Sequence, residues 1–258
     1  MEAHGHEVAI PVAAGLELAG RLHLPERPPA AGVVICHGML SHKDSDKHLA
    51  LAQRLCAAGL AALRFDFQGR GQSPGDMLEL TYSRQLVEAR AAAALLRRDA
   101  GVRRLGLAGS SMGGAVAVLL AASGEPPVAA LATMAAVGRP GRLGERMIDA
   151  EQLAAWQRRG WIDFDGQRVG WAWLEDGRRS DVIAAAGRIG CPWLLLHGER
   201  DEVVPPEDGR LLAAAAGGRA ALELVAGADH RFSDPALRER AVARVADFLS
   251  RQLAEPSA

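Results

Sequence analysis

Two adjacent serines, Ser110 and Ser111, sit among four glycines in GLAGSSMGGA, residues 106–115. Such a stretch can cradle a phosphate, close a turn, or seat a nucleophile. A phosphate loop of the GxxxxGK[ST] type needs a lysine after its second glycine, and Ala115 stands there instead. A dinucleotide fingerprint needs GxGxxG, a spacing absent from these ten residues. The template that fits is G-x-S-x-G, as Gly109-Ser110-Ser111-Met112-Gly113, between one apolar run and the next. A serine at a sharp strand-to-helix turn takes a strained backbone conformation, and its hydroxyl then stands clear of the sheet. The residues two before and two after it crowd each other, so only the smallest side chains fit. With Ser111 at the apex the flanks are Gly109 and Gly113; with Ser110 they would be Ala108 and Met112, and the methionine would collide. Ser111 is the candidate nucleophile, and a plain Gly/Ser turn is the bland alternative.

The decision lies with its partners. A serine hydroxyl needs a base to take its proton, and the base needs a carboxylate to fix its tautomer. In a strand-turn-helix setting the partners follow in the order serine, acid, histidine. LLLHGERDEVVP supplies Asp201 just past an apolar strand, with Glu199 and Glu202 as alternates by position. LELVAGADHRF ends the next strand-like run in His230. A lone histidine or aspartate in a loop is usually idle. Three such residues at the C-terminal ends of successive strands are harder to reach by chance, and open α/β sheets keep their sites there. A tetrahedral oxyanion needs N–H donors: the turn offers the Met112 amide, and His37-Gly38-Met39 after another strand offers the Met39 amide. The other histidines (His4, His6, His23, His42, His48, His197) form no HxxxH or HExxH pair. They read as surface or packing residues, with no metal site.

The elements that must position these groups are legible as short apolar runs. HEVAIPV and LELAGRLHL alternate as two strands joined near Ala14-Gly15. GVVIC, LAALRF, RRLGLAG, VAALATM and CPWLLLHG are nearly all apolar, as strands of a sheet covered on both faces should be. Helical stretches are expected near 46–58, 81–99, 112–123 and 206–217, and a closing helix at 235–253 follows the strand ALELV. The alternation predicts an α/β fold with a mostly parallel sheet and helices on both faces. One connection is too long: from Met134 to Cys191 the chain carries four of its five tryptophans and an Asp-Gly hairpin signal, WIDFDGQRVGW. Residues 138–188 read as a cap insertion in a core of 1–137 and 189–258. The competing reading is a structural excursion whose tryptophans are its own small core.

Composition excludes several classes. Net charge is −1 over 258 residues, so no overall field draws nucleic acid or an anionic membrane. The cations are nearly all arginine, Lys43 and Lys47 being the only lysines, which reads as compositional bias. Three widely spaced cysteines in apolar or helical runs give neither a zinc pattern nor a disulfide framework. Neither a signal peptide nor a membrane span is apparent, and the expectation is a cytoplasmic protein.

The order HGM, DFQGRGQS, GSSMG, GERD and DH resembles the α/β-hydrolase superfamily along essentially the whole chain. Within it, the chain is similar to small-cap serine esterases of the cinnamoyl/feruloyl-esterase, monoacylglycerol-lipase and serine-aminopeptidase types. The resemblance implies a Ser111, His230, Asp201 triad, Met39 and Met112 amides as oxyanion hole, and no cofactor. It also implies that Asp66, Gly69, Gly71 and Ser73 form a structural turn. The expected activity is hydrolysis of a small-molecule carboxylic ester through an acyl-enzyme, with Trp171 and Trp173 of the cap as candidate substrate contacts. Thioesterase, lipase and aminopeptidase chemistries stay open, the last needing a carboxylate such as Glu145, Asp149 or Glu175. So does a ligand-binding protein with little turnover.

Overall fold

The structure, a computed structural model, describes residues 5–12 and 15–254. An antiparallel hairpin, β1 (His6–Pro11) and β2 (Glu17–His23), begins it. Ala14 of the expected turn lies outside the described residues, and Gly15 beside it takes a φ of 80°. There follow β3 (Ala31–Cys36), α1 (Asp46–Ala57), β4 (Ala61–Phe65), α2 (Tyr82–Asp99), β5 (Arg104–Ser110), α3 (Met112–Ser123) and β6 (Val128–Met134). The long connection folds as α4 (Pro140–Arg146), α5 (Ala150–Arg159), β7 (Trp161–Phe164), β8 (Gln167–Gly170), α6 (Trp171–Arg179) and α7 (Val182–Ala186). The chain then returns through β9 (Trp193–Gly198), α8 (Pro206–Ala215), β10 (Ala220–Val225) and α9 (Pro235–Leu253).

Eight strands form one sheet in the order β1-β2-β4-β3-β5-β6-β9-β10, parallel from β4 onward. The all-apolar runs are its middle: every residue of β3, β4 and β9 is buried. Side chains of alternate parity feed two cores. Val34, Leu63, Leu107 and Leu195 pack with α2 and α3, whereas Val33, Ile35, Leu194 and Leu196 pack with α1 and α9. Helices on both faces are what nearly continuous apolar strands require. Two boundaries differ from expectation. β9 starts at Trp193, because Pro192 has no N–H to join the ladder and its carbonyl accepts from the Leu131 amide. α8 stops at Ala215, where Gly217 and Gly218 take φ of 59° and 85°.

In the long connection the Asp-Gly signal makes the turn it should: Asp165 and Gly166 have φ of 54° and 75° between β7 and β8, the twist a two-residue hairpin prefers. Buried Trp156 stacks on buried Trp173 at 6.0 Å, and Trp173 stacks on Tyr82 of α2 at 6.2 Å. The tryptophans join this segment to the first core.

Candidate active site

The β5–α3 turn is built from crowding. Ser111 has φ 55° and ψ −121°, a conformation open to few non-glycine residues. A Cβ on Gly109 would lie 2.4 Å from the Gly113 carbonyl oxygen, and one on Gly113 would lie 2.3 Å from that of His37. The strained residue is held by its neighbours: its N–H donates to the Met134 carbonyl at 2.9 Å, and its own carbonyl accepts from Ala115 and Val137. Strain of this kind persists only where surrounding bonds over-determine it.

Loops after β9 and β10 meet this turn. His230 Nε2 lies 3.1 Å from Ser111 Oγ, and His230 Nδ1 lies 2.8 Å from Asp201 Oδ2. A carboxylate only accepts, so Nδ1 carries the proton and Nε2 presents a lone pair to the serine hydroxyl. The second oxygen of Asp201 accepts from the Val203 and Val204 amides at 3.0 and 2.8 Å. Burial raises the pKa of this carboxyl, but hydrogen bonds from His197 and His230, the charge of His230 and the Val204 amide outweigh it, leaving about 2. Asp201 therefore stays ionised. Glu199 and Glu202 are exposed and make no bond to His230.

His197 is the residue whose place the sequence did not reveal. It is fully buried at the end of β9, with Nε2 2.9 Å from the Val204 carbonyl and 3.3 Å from Asp201 Oδ2. Its signal was the HGERD spacing, which puts a ring four residues ahead of the acid. Both lysines, passed over as part of a compositional bias, take specific partners. Lys47 Nζ donates to Ser110 Oγ at 2.7 Å, so the hydroxyl next to the apex is engaged elsewhere. Lys43 is buried with its ammonium 3.1 Å from Asp66.

The loop after β3 runs beside the apex. A Cβ on Gly38 would lie 3.3 Å from that of Ser111. His37 ties this loop to the next strand's end: Nδ1–H donates to the Gly38 carbonyl at 2.7 Å, and Nε2 accepts from the Phe67 amide at 3.0 Å. That pattern requires the neutral ring, and burial first of all pushes its pKa down to about 4. Arg70 donates to the carbonyls of Leu40 and Ser41. Among the described residues neither the Met39 nor the Met112 amide donates to any protein acceptor. At Met112 this is natural, since the first amides of a helix have no intrahelical partner.

The 66–73 turn serves as scaffold. Asp66 accepts from the amides of Lys43 and Gln72, and the Ser73 hydroxyl donates to the Asp66 carbonyl at 2.6 Å. Gly71 has φ 50°, and a Cβ there would strike the Asp66 carboxylate.

The cap candidates fall in different settings. Trp173 is buried, and its indole N–H points at the Met112 sulfur at 3.4 Å, on the apolar side of the turn. Trp171 is half-buried, edge-on to Trp156 at 5.6 Å, with the Arg178 guanidinium 5.4 Å above it. Of the carboxylates considered for an amine, Glu145 pairs with Arg178 and Asp149 caps α5, while Glu175 is exposed. Among the described residues no cluster of three or more His, Cys, Asp or Glu is disposed to hold a metal ion. No helix among them is long and apolar enough to cross a membrane.

A family model described as Hydrolase_4, serine aminopeptidase S33, matches residues 27–162. A Mycobacterium tuberculosis protein whose name proposes phosphoribosyl transfer is 27% identical over 249 residues, which is 95% of this chain. The chain spans about half of that relative's length, 46%. A monoacylglycerol lipase of Mycolicibacterium smegmatis is 25% identical over 225 residues, 77% of this chain and 80% of its own. Among solved structures, Est1E from Butyrivibrio proteoclasticus with ferulic acid bound has a TM-score of 0.85 at 23% identity. That match covers 96% of this chain and 100% of Est1E, a likeness of fold.

Proposed function

The chain belongs to the Hydrolase_4 family of serine aminopeptidase S33-type α/β-hydrolases, and from that membership we propose that it cleaves carboxylic esters through an acyl-enzyme on Ser111. One observation carries the reading: an unbroken hydrogen-bonded series, Ser111 Oγ to His230 at 3.1 Å and His230 to Asp201 at 2.8 Å, at a strained strand-to-helix turn.

His230 Nε2 takes the hydroxyl proton as Ser111 Oγ attacks the acyl carbonyl. Asp201 holds the ring in the tautomer this needs and stabilises the imidazolium that forms. The carbonyl oxygen becomes an oxyanion between the Met39 and Met112 amides, each such donor contributing roughly 3–4 kcal/mol at the transition state. The imidazolium protonates the departing alcohol, and a water then repeats the cycle on the acyl-enzyme. Residues 138–188 act as a cap over the core of 1–137 and 189–258, and the Trp173 contact with Met112 is its link to the turn.

The name of the Mycolicibacterium relative supports an ester as the bond. Of the carboxylates that could hold an aminopeptidase substrate's amine, Glu145 and Asp149 are engaged and Glu175 is exposed, so the aminoacyl anilide below decides that alternative. A fluorophosphonate should label Ser111; labelling should vanish in Ser111→Ala and persist in Ser110→Ala. An unreactive wild type sinks the proposal. Nitrophenyl esters of graded chain length, beside methyl ferulate and an aminoacyl anilide, then rank the substrates.

A further inference from the structure

The Met39 amide belongs to a tight turn. The Ser41 amide donates to the Gly38 carbonyl at 3.0 Å, which leaves Met39 and Leu40 at the turn's centre. The His37 ring holds the near end, through that same Gly38 carbonyl. Arg70 holds the far end: its guanidinium donates to the Leu40 carbonyl at 3.0 Å and to the Ser41 carbonyl at 3.2 Å. Arg70 itself stands on the 66–73 turn, its amide donating to the Phe67 carbonyl at 3.0 Å and its carbonyl accepting from the Ser73 amide at 2.9 Å. Its third nitrogen reaches outward, and Nη1 donates to Gln167 Oε1 at 3.3 Å. A guanidinium has only donors, so Gln167 turns its amide oxygen to it.

Half-buried Gln167 belongs to the inserted segment, where it opens β8 and pairs with Phe164 across the Asp165-Gly166 turn. That hairpin is firmly seated. The Val169 carbonyl accepts from the Trp156 indole at 3.1 Å, and a Cβ on Gly170 would lie 2.2 Å from the Leu78 carbonyl oxygen. The ring of Trp156 in turn stacks on Trp173, whose indole N–H meets the Met112 sulfur at 3.4 Å. Trp173 and Met112 are both buried, so water does not compete for this contact. One buried tryptophan, Trp156, therefore joins two arms of residues 138–188. The first ends, through Arg70, on the turn bearing the Met39 amide, and the second ends on the side chain of Met112.

We propose that the inserted segment sets the oxyanion hole, with Arg70, Gln167 and Trp173 as positioning residues that hold the Met39 and Met112 amides in register with each other. This rests on the reading of Ser111 as nucleophile and of those amides as its donors. Oxyanion donors act only when aimed at the place where charge develops, and a misplacement of about 1 Å can cost ~10²-fold in rate. The segment then governs the rate for every acyl group, rather than only lining the path of a long one.

Three variants test it. Gln167→Leu removes the acceptor for Arg70, Gln167→Glu keeps one, and Trp173→Phe keeps a stacked ring while removing the N–H. The probes are 4-nitrophenyl acetate, whose acyl group offers a cap least to bind, and 4-nitrophenyl octanoate. For both esters kcat should fall by the same factor, about fivefold or more in Gln167→Leu and in Trp173→Phe, with KM held within about twofold. Gln167→Glu should restore kcat to within about twofold of wild type. A wild-type kcat with acetate, or a loss confined to the KM of octanoate, makes the segment a binding wall and overturns the proposal. An equal loss in Gln167→Glu overturns it too. Hydrogen exchange separates this result from the fate of the esterase reading. The Ser41 amide, which closes the turn, should exchange at least about threefold faster in Gln167→Leu than in wild type or Gln167→Glu. That outcome in a protein that neither cleaves esters nor reacts with the fluorophosphonate would remove the esterase and leave the coupling of segment to turn. Unchanged exchange removes the coupling whatever the esterase does.

Discussion

His197 Nε2 stands 3.3 Å from Asp201 Oδ2, the same oxygen that His230 Nδ1 approaches at 2.8 Å. One buried carboxylate is thus braced by two imidazoles and, through its other oxygen, by two amides. Its pKa of about 2 lies below the ordinary 3.8, so its contribution to stability is present above about pH 4 and is lost as pH falls through 2. His197→Phe removes one brace and moves the carboxyl back towards its ordinary range. We expect stability at neutral pH to drop by about 1–3 kcal/mol, with acid unfolding beginning at higher pH than in wild type. Urea titrations across pH 2–7 measure both. An unshifted acid limb would mean that His197 only fills space.

Gly113 is the tightest point of the turn. A Cβ there would lie 2.3 Å from the His37 oxygen and 2.5 Å from that of Cys36, backbone atoms of the loop bearing Met39 and of the end of β3. Neither can move without shifting that loop or β3. Gly113→Ala should therefore cost about 3 kcal/mol or more, at the upper end for overpacking. Denaturant unfolding of the variant decides this, and a wild-type midpoint would contradict the crowding that singles out Ser111 over Ser110.

The fold was legible because its strands are apolar on both faces and its breaks carry Gly, Pro or Asp-Gly. The approach of Ser111 and His230 spans 119 residues of chain, yet β-strand ends in an α/β sheet converge by topology, so order and spacing were enough to nominate the pair. What escaped was burial of polar groups. A histidine in LLLHG reads as a strand end, and nothing local says that its ring lies beside a carboxylate four residues on. Lys43 and Lys47 looked like compositional residue because their partners, Asp66 and Ser110, are 23 and 63 residues away.

Glu88 is a second case of burial hidden from the sequence. It is 1% exposed on α2, with Oε2 accepting from the Gln68 amide and Oε1 unpartnered. Burial pushes its pKa up to about 7, the Gln68 amide and Arg84 opposing only in part. Because the folded-state value lies above the ordinary 4.5, the folded state prefers the protonated acid, and stability is lost as pH rises from about 4.5 through 7. Glu88→Gln keeps an acceptor for Gln68 and removes the charge. It should match wild type near pH 4 and exceed it above pH 7 by up to roughly 3 kcal/mol. Thermal unfolding at both pH values tests the sign. A variant less stable at pH 8 would reverse it.

Lys47 and Ser110 join α1 to the end of β5, one residue before the apex, through a 2.7 Å hydrogen bond from the ammonium of a half-buried lysine. Burial, together with Arg231 and Arg238, pushes the Lys47 pKa down to about 8, against the pull of Asp201 and Asp229. The ammonium thus lies in the field of the acid and of the loop bearing His230. Replacing either partner leaves the other's polar group in a poor setting, so single substitutions overstate what the bond contributes. A double-mutant cycle with Lys47→Met and Ser110→Ala isolates it. The coupling should be about 1.5–3 kcal/mol in denaturant unfolding, the range for a hydrogen bond with one charged partner. Labelling of Ser111 by the fluorophosphonate should survive in Ser110→Ala, because the apex hydroxyl bonds to His230 and not to Lys47. Zero coupling would make the lysine a bystander, and the free hydroxyl of Ser110 would again have to be considered as a nucleophile.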